Sequence, residues 1–248
     1  TGIFVLSILI GLLTTGIEAR LDALRKGRSR VIEENHTVIL GWSEQVFPII
    51  SELVQANENQ KNPCIVVLAP KDKVEMEDEI REKVGDSKRT RIVCRTGTPM
   101  EMSDLAIASL NQCRSIIVLS PEDDNADAEV IKILLAITNA PNRRQEPYAI
   151  VAELRDARNL DVARMVGKDE VELILFNDLI ARIIAQTCRQ SGLSIVYTEL
   201  LDFGGDEIYI KEETALIGKS FGEAQQAYET STIMGIQPQG KLPVLNPP

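Results

Sequence analysis

Short apolar runs alternate with longer amphipathic stretches between residues 37 and 192, and this alternation limits the fold more than any other feature of the chain. The runs have strand length and no polar face, as expected of strands that are covered on both sides. Parallel strands need crossover connections, and the stretches between the runs carry apolar residues at helical spacing. The runs are TVILG (37–41), CIVVLAP (64–70), RIVCR (91–95), SIIVLS (115–120), YAIVAEL (148–154) and VELILF (171–176). The sequence therefore predicts an α/β fold with a doubly wound, Rossmann-like parallel sheet.

The same pattern places the helices and divides the chain. Helices are predicted at 46–54, 72–84, 101–110, 125–139, 157–167 and 177–192. After Gly192 the pattern changes to short segments with glycine and proline turns, which are typical of antiparallel strands. These strands are predicted at 200–213 and 232–248, with a short helix at 221–229. We therefore expect a Rossmann-like domain over 36–192 and a small C-terminal α+β lobe over 193–248.

Residues 3–17, IFVLSILIGLLTTGI, carry no charge and precede a basic cluster. The basic residues are Arg20, Arg25, Lys26, Arg28 and Arg30. A transmembrane helix needs ~20 apolar residues, and because the chain begins at Thr1 we expect this run to be the end of a longer helix. Basic residues beside such a helix indicate the cytoplasmic side of a membrane. The sequence thus predicts the end of a transmembrane helix over 1–17, a basic linker over 18–35, and a cytoplasmic location for 18–248. The alternative is a buried core helix with a solvated basic face.

Composition excludes several classes of function. The net charge of −10 disfavours nucleic-acid binding, because an acidic surface repels phosphate backbones. His36 is the only histidine, so a histidine-based metal or acid–base site is not expected. The cysteines lack CxxC spacing, which favours buried free thiols over a zinc site or disulfides; they are Cys64, Cys94, Cys113 and Cys188. The nucleophile-elbow and P-loop motifs are also absent from the sequence, and we do not expect an enzyme.

The loop after the first predicted strand, GWSEQV (41–46), resembles a dinucleotide fingerprint that has lost two glycines. Ser43 replaces the glycine that lets the backbone approach a pyrophosphate, and Val46 replaces the glycine needed for close helix packing. Glu44 opposes a bound phosphate at the helix N-terminus. No acidic residue directly follows the second strand to bind a ribose. The sequence therefore predicts a degenerate nucleotide loop that NAD does not occupy, formed by Gly41, Trp42 and Ser43.

Acidic residues follow two of the predicted strands at the edge where ligands bind in this fold. Glu122, Asp123, Asp124 and Asp127 come after the fourth strand, and Glu153 and Asp156 after the fifth. Calcium prefers several carboxylate and carbonyl oxygens, so these residues are candidate calcium ligands. The alternative is that they cap helices or are solvated in loops, and that the Glu153–Asp156 group forms an internal ion pair.

Several stretches resemble the RCK domains that gate cation channels, and most closely the CASTOR/POLLUX ion channel family. They are scattered over most of the chain: RKGRSRVIEENHTVILGWSEQV (25–46), IVCRTGTPMEMSDL (92–105), RSIIVLSPEDDNADAEVIK (114–132) and GGDEIYIKEE (204–213). The most specific are ILGWS and CRTGTP, and the Trp42-Ser43 pair in place of glycines is part of the likeness.

The resemblance implies a homotetrameric cation channel whose pore-lining helix continues through the linker into a cytoplasmic gating ring. The pore domain and a second RCK-like domain of the same subunit would be its partners. Some calcium-gated RCK domains place further carboxylates before the sixth strand and after the long helix, and the corresponding residues here are Asp169, Glu170, Glu199 and Asp202. Calcium is therefore the candidate ligand, and the sequence establishes no cofactor.

Alternatives to this interpretation remain open at the level of sequence. One is a Trk-type regulatory subunit that binds NAD or ATP, and another is a membrane-tethered oxidoreductase. The long helix 177–192 carries an apolar stripe formed by Leu179, Ile180, Ile183 and Ile184. In RCK domains a helix at this place crosses to a partner domain, whereas the alternative is that the stripe packs on its own sheet.

Overall fold

The structure, a computed structural model, describes residues 27–123, 125–204, 208–238 and 241–247. The predicted transmembrane segment 1–17 and the first part of the linker, up to residue 26, lie outside the described residues. Within the described ranges, no helix is long and apolar enough to cross a membrane. The chain divides into two compact units, Thr1–Asp206 and Glu207–Pro248.

The first unit is built on a parallel sheet with the strand order β3-β2-β1-β4-β5-β6, which confirms the predicted doubly wound fold. Its strands are β1 (Thr37–Leu40), β2 (Cys64–Ala69), β3 (Arg91–Thr96), β4 (Ser115–Val118), β5 (Ile150–Leu154) and β6 (Val171–Leu175). Val38 of β1 is in register with Val66 of β2 and Ile116 of β4. The strand order reverses between β1 and β4, so a crevice opens outside their carboxyl ends.

The helices of this unit follow the prediction closely except in two places. They are α1 (Val46–Ala56), α2 (Lys73–Lys83), α3 (Met102–Leu105), α4 (Ala126–Thr138), α5 (Leu160–Gly167), α6 (Phe176–Arg189) and α7 (Leu193–Leu201). The predicted helix 101–110 is wrong in its second half, where two 3₁₀ turns, Ala106–Ala108 and Leu110–Gln112, flank Ser109. Ser109 has a left-handed φ of 51°, which no α-helix accommodates.

The predicted strand over 200–213 is also wrong for its described residues. Helix α7 continues to Leu201, and residues 208–213 form no strand. Gly192, with a φ of 86°, ends the preceding segment and lets a new helix start directly after it.

The strands are apolar throughout because the core lies on both faces of the sheet. Side chains alternate between the faces, so Val38 and Leu40 join one buried cluster and Ile39 joins the other. Helices α4 and α5 cover the first face, and α1 and α2 cover the second.

The prediction of buried free thiols is confirmed for Cys64, Cys94 and Cys113 and is wrong for Cys188, which is exposed on α6. Burial raises the thiol pKa of Cys64 and Cys113 to about 11 and that of Cys94 to about 12. These three thiols therefore stay protonated and unreactive near neutral pH.

The second unit contains little regular structure. Its elements are a 3₁₀ turn (Thr214–Leu216), helix α8 (Phe221–Gln225) and the antiparallel pair β7 (Gly235–Ile236) and β8 (Val244–Leu245). Helix α8 begins with a capping box in which Ser220 and Glu223 bind each other's backbone N–H. It ends at Gln225, four residues before the predicted end at 229.

His36 precedes β1 and is fully buried. Its Nε2 donates to the carbonyl oxygen of Ala108 at 3.0 Å, and no donor among the described residues reaches Nδ1. Burial lowers the pKa of His36 below its usual value, because a second ring proton would have to be buried without an acceptor. The folded protein therefore holds this imidazole neutral.

We expect acid to destabilise the domain through His36. Below about pH 6.5 the unfolded chain takes up a proton that the folded chain refuses, so the free energy of unfolding falls as the pH falls, by at most about 1.4 kcal/mol per pH unit. His36→Gln keeps a donor for Ala108 and removes this proton. Urea unfolding at pH 7.5 and 5.5 should show a larger loss for wild type than for the variant; equal losses would contradict the assignment.

Candidate functional site

The crevice between β1 and β4 is shaped by Gly41, which directly follows β1. Gly41 has a φ of +100°, and its N–H donates to the carbonyl oxygen of Leu68 at 3.0 Å. A Cβ at this position would lie 3.0 Å from the carbonyl oxygen of Leu119, which follows β4. Glycine is therefore required here both for its backbone conformation and for the close approach of two loops.

Trp42 fills the space next to this glycine. Its ring packs edge to face on Phe47 with a centroid distance of 5.6 Å, and the Lys71 ammonium lies 4.7 Å from the indole centroid. Lys71 in turn pairs with Glu79 at 2.6 Å. Lys71 follows β2, so the indole and the ammonium lie near the strand end at which dinucleotide folds bind the ribose. The acidic Asp72 is not free for a ribose, because it caps α2.

The loop after Trp42 is occupied by carboxylates of the protein itself. The Glu44 side chain pairs with Lys83 at 2.8 Å. The backbone N–H of Glu44 points to Oε1 of Glu122 at 3.4 Å, so a carboxylate lies beside the loop in which a nucleotide would place a phosphate. That NAD does not occupy the loop of Gly41, Trp42 and Ser43 stays a prediction.

A buried carboxylate links the carboxyl ends of three strands. Glu153, the penultimate residue of β5, is 9% exposed and accepts hydrogen bonds from Gln45 Nε2 at 3.3 Å and from the backbone N–H of Ser120 at 3.2 Å. Ser43 Oγ donates to Gln45 Oε1 at 3.2 Å and completes the chain of contacts. The loops after β1 and β4 are thus held to β5 through one side chain.

An open cleft of about 440 Å³ lies over this network. It is lined by Gln45, Glu122, Glu153, Arg155, Phe176 and Asn177. The two glutamates were predicted from the sequence as site residues, whereas Gln45, Phe176 and Asn177 were not. Phe176 and Asn177 directly follow β6, so the rule that carboxyl strand ends share one edge would have found them.

The other acidic residues near this edge bind the protein's own loops. Asp127 is buried in the first turn of α4 and accepts from the backbone N–H groups of Arg155 and Asp156 and from Asn159 Nδ2, at 2.8, 3.0 and 2.7 Å. Asp156 pairs with Arg158 rather than with Arg155, and hydrogen bonds from Arg158 hold the pKa of Asp156 below its usual value. Asp123 accepts from the N–H of Asn125 at 2.8 Å. Asp124 lies outside the described residues.

The remaining candidate calcium ligands lie elsewhere. Asp169 and Glu170 precede β6 and therefore lie at the opposite, amino edge of the sheet. Burial opposes the ionisation of Glu170, yet hydrogen bonds from Arg143 and from the Tyr148 N–H hold its pKa below the usual value. Glu199 lies on α7, and Asp202 accepts from the N–H of Gly204.

The nine of these ten residues that the structure describes do not form one cluster. In the part of the chain that the structure describes, no group of three or more histidine, cysteine or acidic side chains is arranged to hold a metal ion. A calcium site stays a prediction.

Helix α6 has an apolar face that is left uncovered by the described residues. None of its residues is buried, and Leu179, Ile180 and Ile184 are 47%, 38% and 63% exposed. The alternative in which this stripe packs on its own sheet is therefore wrong for these three side chains. An exposed apolar face of this kind is typical of a protein–protein contact.

Comparison with known proteins places this chain among ion channel sequences. Residues 33–172 match the family model described as "Calcium-activated potassium channel slowpoke-like RCK domain", and residues 177–248 match "Castor and Pollux, part of voltage-gated ion channel". The chain is 37% identical to the "Probable ion channel CASTOR" of Oryza sativa subsp. japonica and 35% identical to the "Ion channel CASTOR" of Lotus japonicus. Each match covers 99% of this chain but only 28% and 29% of those proteins, so the chain spans less than a third of their length.

Among solved structures, the human SLO3 gating ring is similar to the chain. The sequence identity is 16% and the TM-score is 0.43, over 77% of this chain and 32% of that one.

We expect Gly41→Ala to destabilise the domain more than Gly85→Ala. Both glycines have positive φ, but a Cβ at Gly85 has no atom within 4 Å, whereas one at Gly41 meets the Leu119 carbonyl. The conformational term costs about 1–2 kcal/mol in each variant, and the contact adds to it only at Gly41. Urea unfolding followed by Trp42 fluorescence measures both changes. Equal losses would show that the two loops do not constrain each other.

Proposed function

We propose that this chain, which belongs to the CASTOR/POLLUX ion channel family, forms the RCK gating-ring portion of a tetrameric cation channel and couples ligand binding to pore opening. The RCK domain covers residues 33–172. In this proposal residues 1–17 end the pore-lining helix, 18–35 link it to the ring, and residues 18–248 lie on the cytoplasmic side of the membrane. A pore domain and a second RCK-like domain of the same subunit would complete the protein.

The observation that carries this proposal is the uncovered apolar face of α6. The core of the sheet domain lies on both faces of the sheet, whereas three neighbouring apolar side chains of α6 are exposed together, and this favours assembly with another domain. A closed ring gives every copy the same contact, as symmetric oligomers do. Ring assembly therefore explains an apolar helix that the described chain does not cover.

Coupling follows from a two-state equilibrium of the ring. A ligand that binds one geometry of the ring more tightly shifts the ring toward that geometry. A tenfold preference supplies ~1.4 kcal/mol per site, and equivalent sites in a symmetric ring add their contributions. Modest preferences at four sites would therefore be sufficient to move a pore.

Calcium is the ligand that we propose for this equilibrium. The cleft at the carboxyl edge is lined by two carboxylates, Glu122 and Glu153, and by the side-chain amides of Gln45 and Asn177. Oxygen ligands of this kind suit a hard divalent cation. The loop does not support the alternative of a nucleotide-sensing Trk-type subunit. Its Trp42 packs on Phe47, and the carboxylate of Glu122 lies beside the Glu44 N–H, where a phosphate would bind.

We expect Ile184→Asp to weaken self-association of the chain. A charge within the α6 stripe would have to be desolvated in a contact between copies, which lowers the association constant by at least about tenfold. Val162→Asp is the matched control, because Val162 is an exposed apolar side chain on α5, 50% accessible to solvent. Sedimentation velocity over a range of concentrations measures both. An unchanged association constant for Ile184→Asp would remove the main support for the ring.

We further expect the full-length subunit, reconstituted in lipid bilayers, to pass a cation current that depends on calcium. Glu122→Gln removes a cleft carboxylate that is exposed, so the calcium concentration for half-activation should rise by about tenfold. Lys61→Gln, another single-charge change at an exposed position away from this cleft, should leave that concentration unchanged. The proposal fails if wild-type protein passes no cation current under any ligand condition.

A further inference from the structure

The segment before β1, which we call the strap (residues 27–36), is fastened along its length to the sheet domain. At its start, the carbonyl oxygen of Gly27 accepts from the N–H of Thr96, at the carboxyl end of β3. At its end, the N–H of Asn35 donates to the carbonyl oxygen of Gln112, ahead of β4. The strap therefore runs across the domain from the carboxyl edge of the sheet to the amino edge, where it enters β1.

Asp104 holds the first part of the strap. Its Oδ1 accepts from Arg28 Nη2 at 2.7 Å, and its Oδ2 accepts from the backbone N–H of Thr98 at 2.9 Å. The Asp104 side chain is only 10% exposed, whereas that of Arg28 is 55% exposed. The carboxylate thus joins Arg28 of the strap to the loop after β3. Arg95 adds a second contact, because its Nε donates to the carbonyl oxygen of Ser29 at 2.7 Å.

Ser109 holds the middle of the strap. Its hydroxyl donates to the carbonyl oxygen of Val31 at 2.6 Å and accepts from Arg30 Nε at 3.2 Å. The Val31 N–H donates in turn to the carbonyl oxygen of Ile107 at 2.8 Å. Ser109 lies between the two 3₁₀ turns and has a left-handed backbone. This conformation is unfavourable for residues other than glycine and asparagine. The strained backbone directs this hydroxyl at the strap.

Both holding residues belong to the segment that leads into β4. Within it, Leu105, Ile107 and Ala108 are buried in the core, so the segment is rigidly attached to the sheet. At the far end of β4, Ser120 and Glu122 contribute to the network and the cleft described above. One continuous stretch of chain therefore touches the strap at one end and the ligand cleft at the other.

We propose that Asp104 and Ser109 are positioning residues for channel gating, which clasp the strap so that a movement of the segment before β4 is transmitted to the linker without slack. This inference rests on the proposed function. It assigns the coupling to the two side chains that fasten the linker, not to the covalent entry into β1. When the contacts of Asp104 and Ser109 are lost, a movement of the ring extends the strap instead of displacing the linker. The movement then no longer reaches the pore.

Arg28→Ala and Ser109→Gly test the clasp. Arg28→Ala removes the partner of Asp104 from the surface, and Ser109→Gly removes the hydroxyl while keeping a residue that accepts the left-handed backbone. Arg81→Ala is the matched control, because it removes an ion pair of the same length, 2.7 Å to Asp78, on α2. All variants are made in the full-length subunit and measured in bilayers with and without calcium.

In the double variant of Arg28 and Ser109 we expect the calcium-dependent change in open probability to fall by about tenfold, while calcium binding measured by calorimetry is unchanged. Amide exchange reports the clasp directly: the Val31 amide should exchange about tenfold faster, and the Leu119 amide, bonded within the core, at the wild-type rate. Arg81→Ala should match wild type in all three measurements. Arg28→Ala alone, at a half-exposed side chain, should show a smaller change in the same direction.

The outcomes separate this inference from the proposed function. Faster exchange at Val31 with wild-type gating would overturn the coupling role, and unchanged exchange would overturn the clasp itself. A wild-type protein that passes no current overturns the proposed function and the coupling role with it. If wild-type current ignores calcium, the calcium assignment fails, and a wild-type open probability in the double variant then overturns the coupling role.

Discussion

Because the six strands pair in parallel, both faces of the sheet have to be covered, and the remaining features of the domain follow from that requirement. Ile39 points to one layer of helices and its neighbours Val38 and Leu40 to the other, so each crossover must return on the correct side. The crossovers bring all carboxyl strand ends to one edge. The loops that meet there need polar partners for their backbone groups, and this need creates the network around Glu153.

At the carboxyl edge the protein keeps the loop geometry of a dinucleotide-binding fold, but the side chains that line this edge are different. Gly41 preserves the close approach of the loops after β1 and β4, while the groups that would face a phosphate are carboxylates, Glu122 and Glu153. An anionic ligand would be repelled by both side chains. A cation would be attracted by the same charges, although the guanidinium of Arg155, which also lines the cleft, offsets part of them. These charges support the proposed cation rather than a nucleotide.

Local patterns predicted the strands and the loop, because both depend on neighbouring residues. Apolar runs located every strand of the sheet, and a glycine motif located Gly41. The partners of the carboxylates were not predictable in this way: Asp127 binds a loop after β5, and Glu170 binds Arg143, which lies far from it in sequence. The break of the predicted helix at Ser109 was missed for a related reason. Its left-handed backbone is stabilised by a hydrogen bond from its hydroxyl to the carbonyl oxygen of Val31. The sequence of 101–110 alone does not predict this distant contact.

The strap and α6 lie toward opposite ends of the strand order, the strap beside β3 and α6 directly after β6. If assembly fixes α6, the β6 end of the sheet is held by the ring, and the linker is fastened near the β3 end. The cleft lies between them, over the ends of β1, β4 and β5, where Glu153 joins three loops. A ligand that changes the contacts of Glu153 would then act on the sheet between the end that assembly fixes and the end that is fastened to the linker. Because the sheet and its helices are closely packed, the sheet deforms little, and a displacement that starts at Glu153 is passed on to the strap.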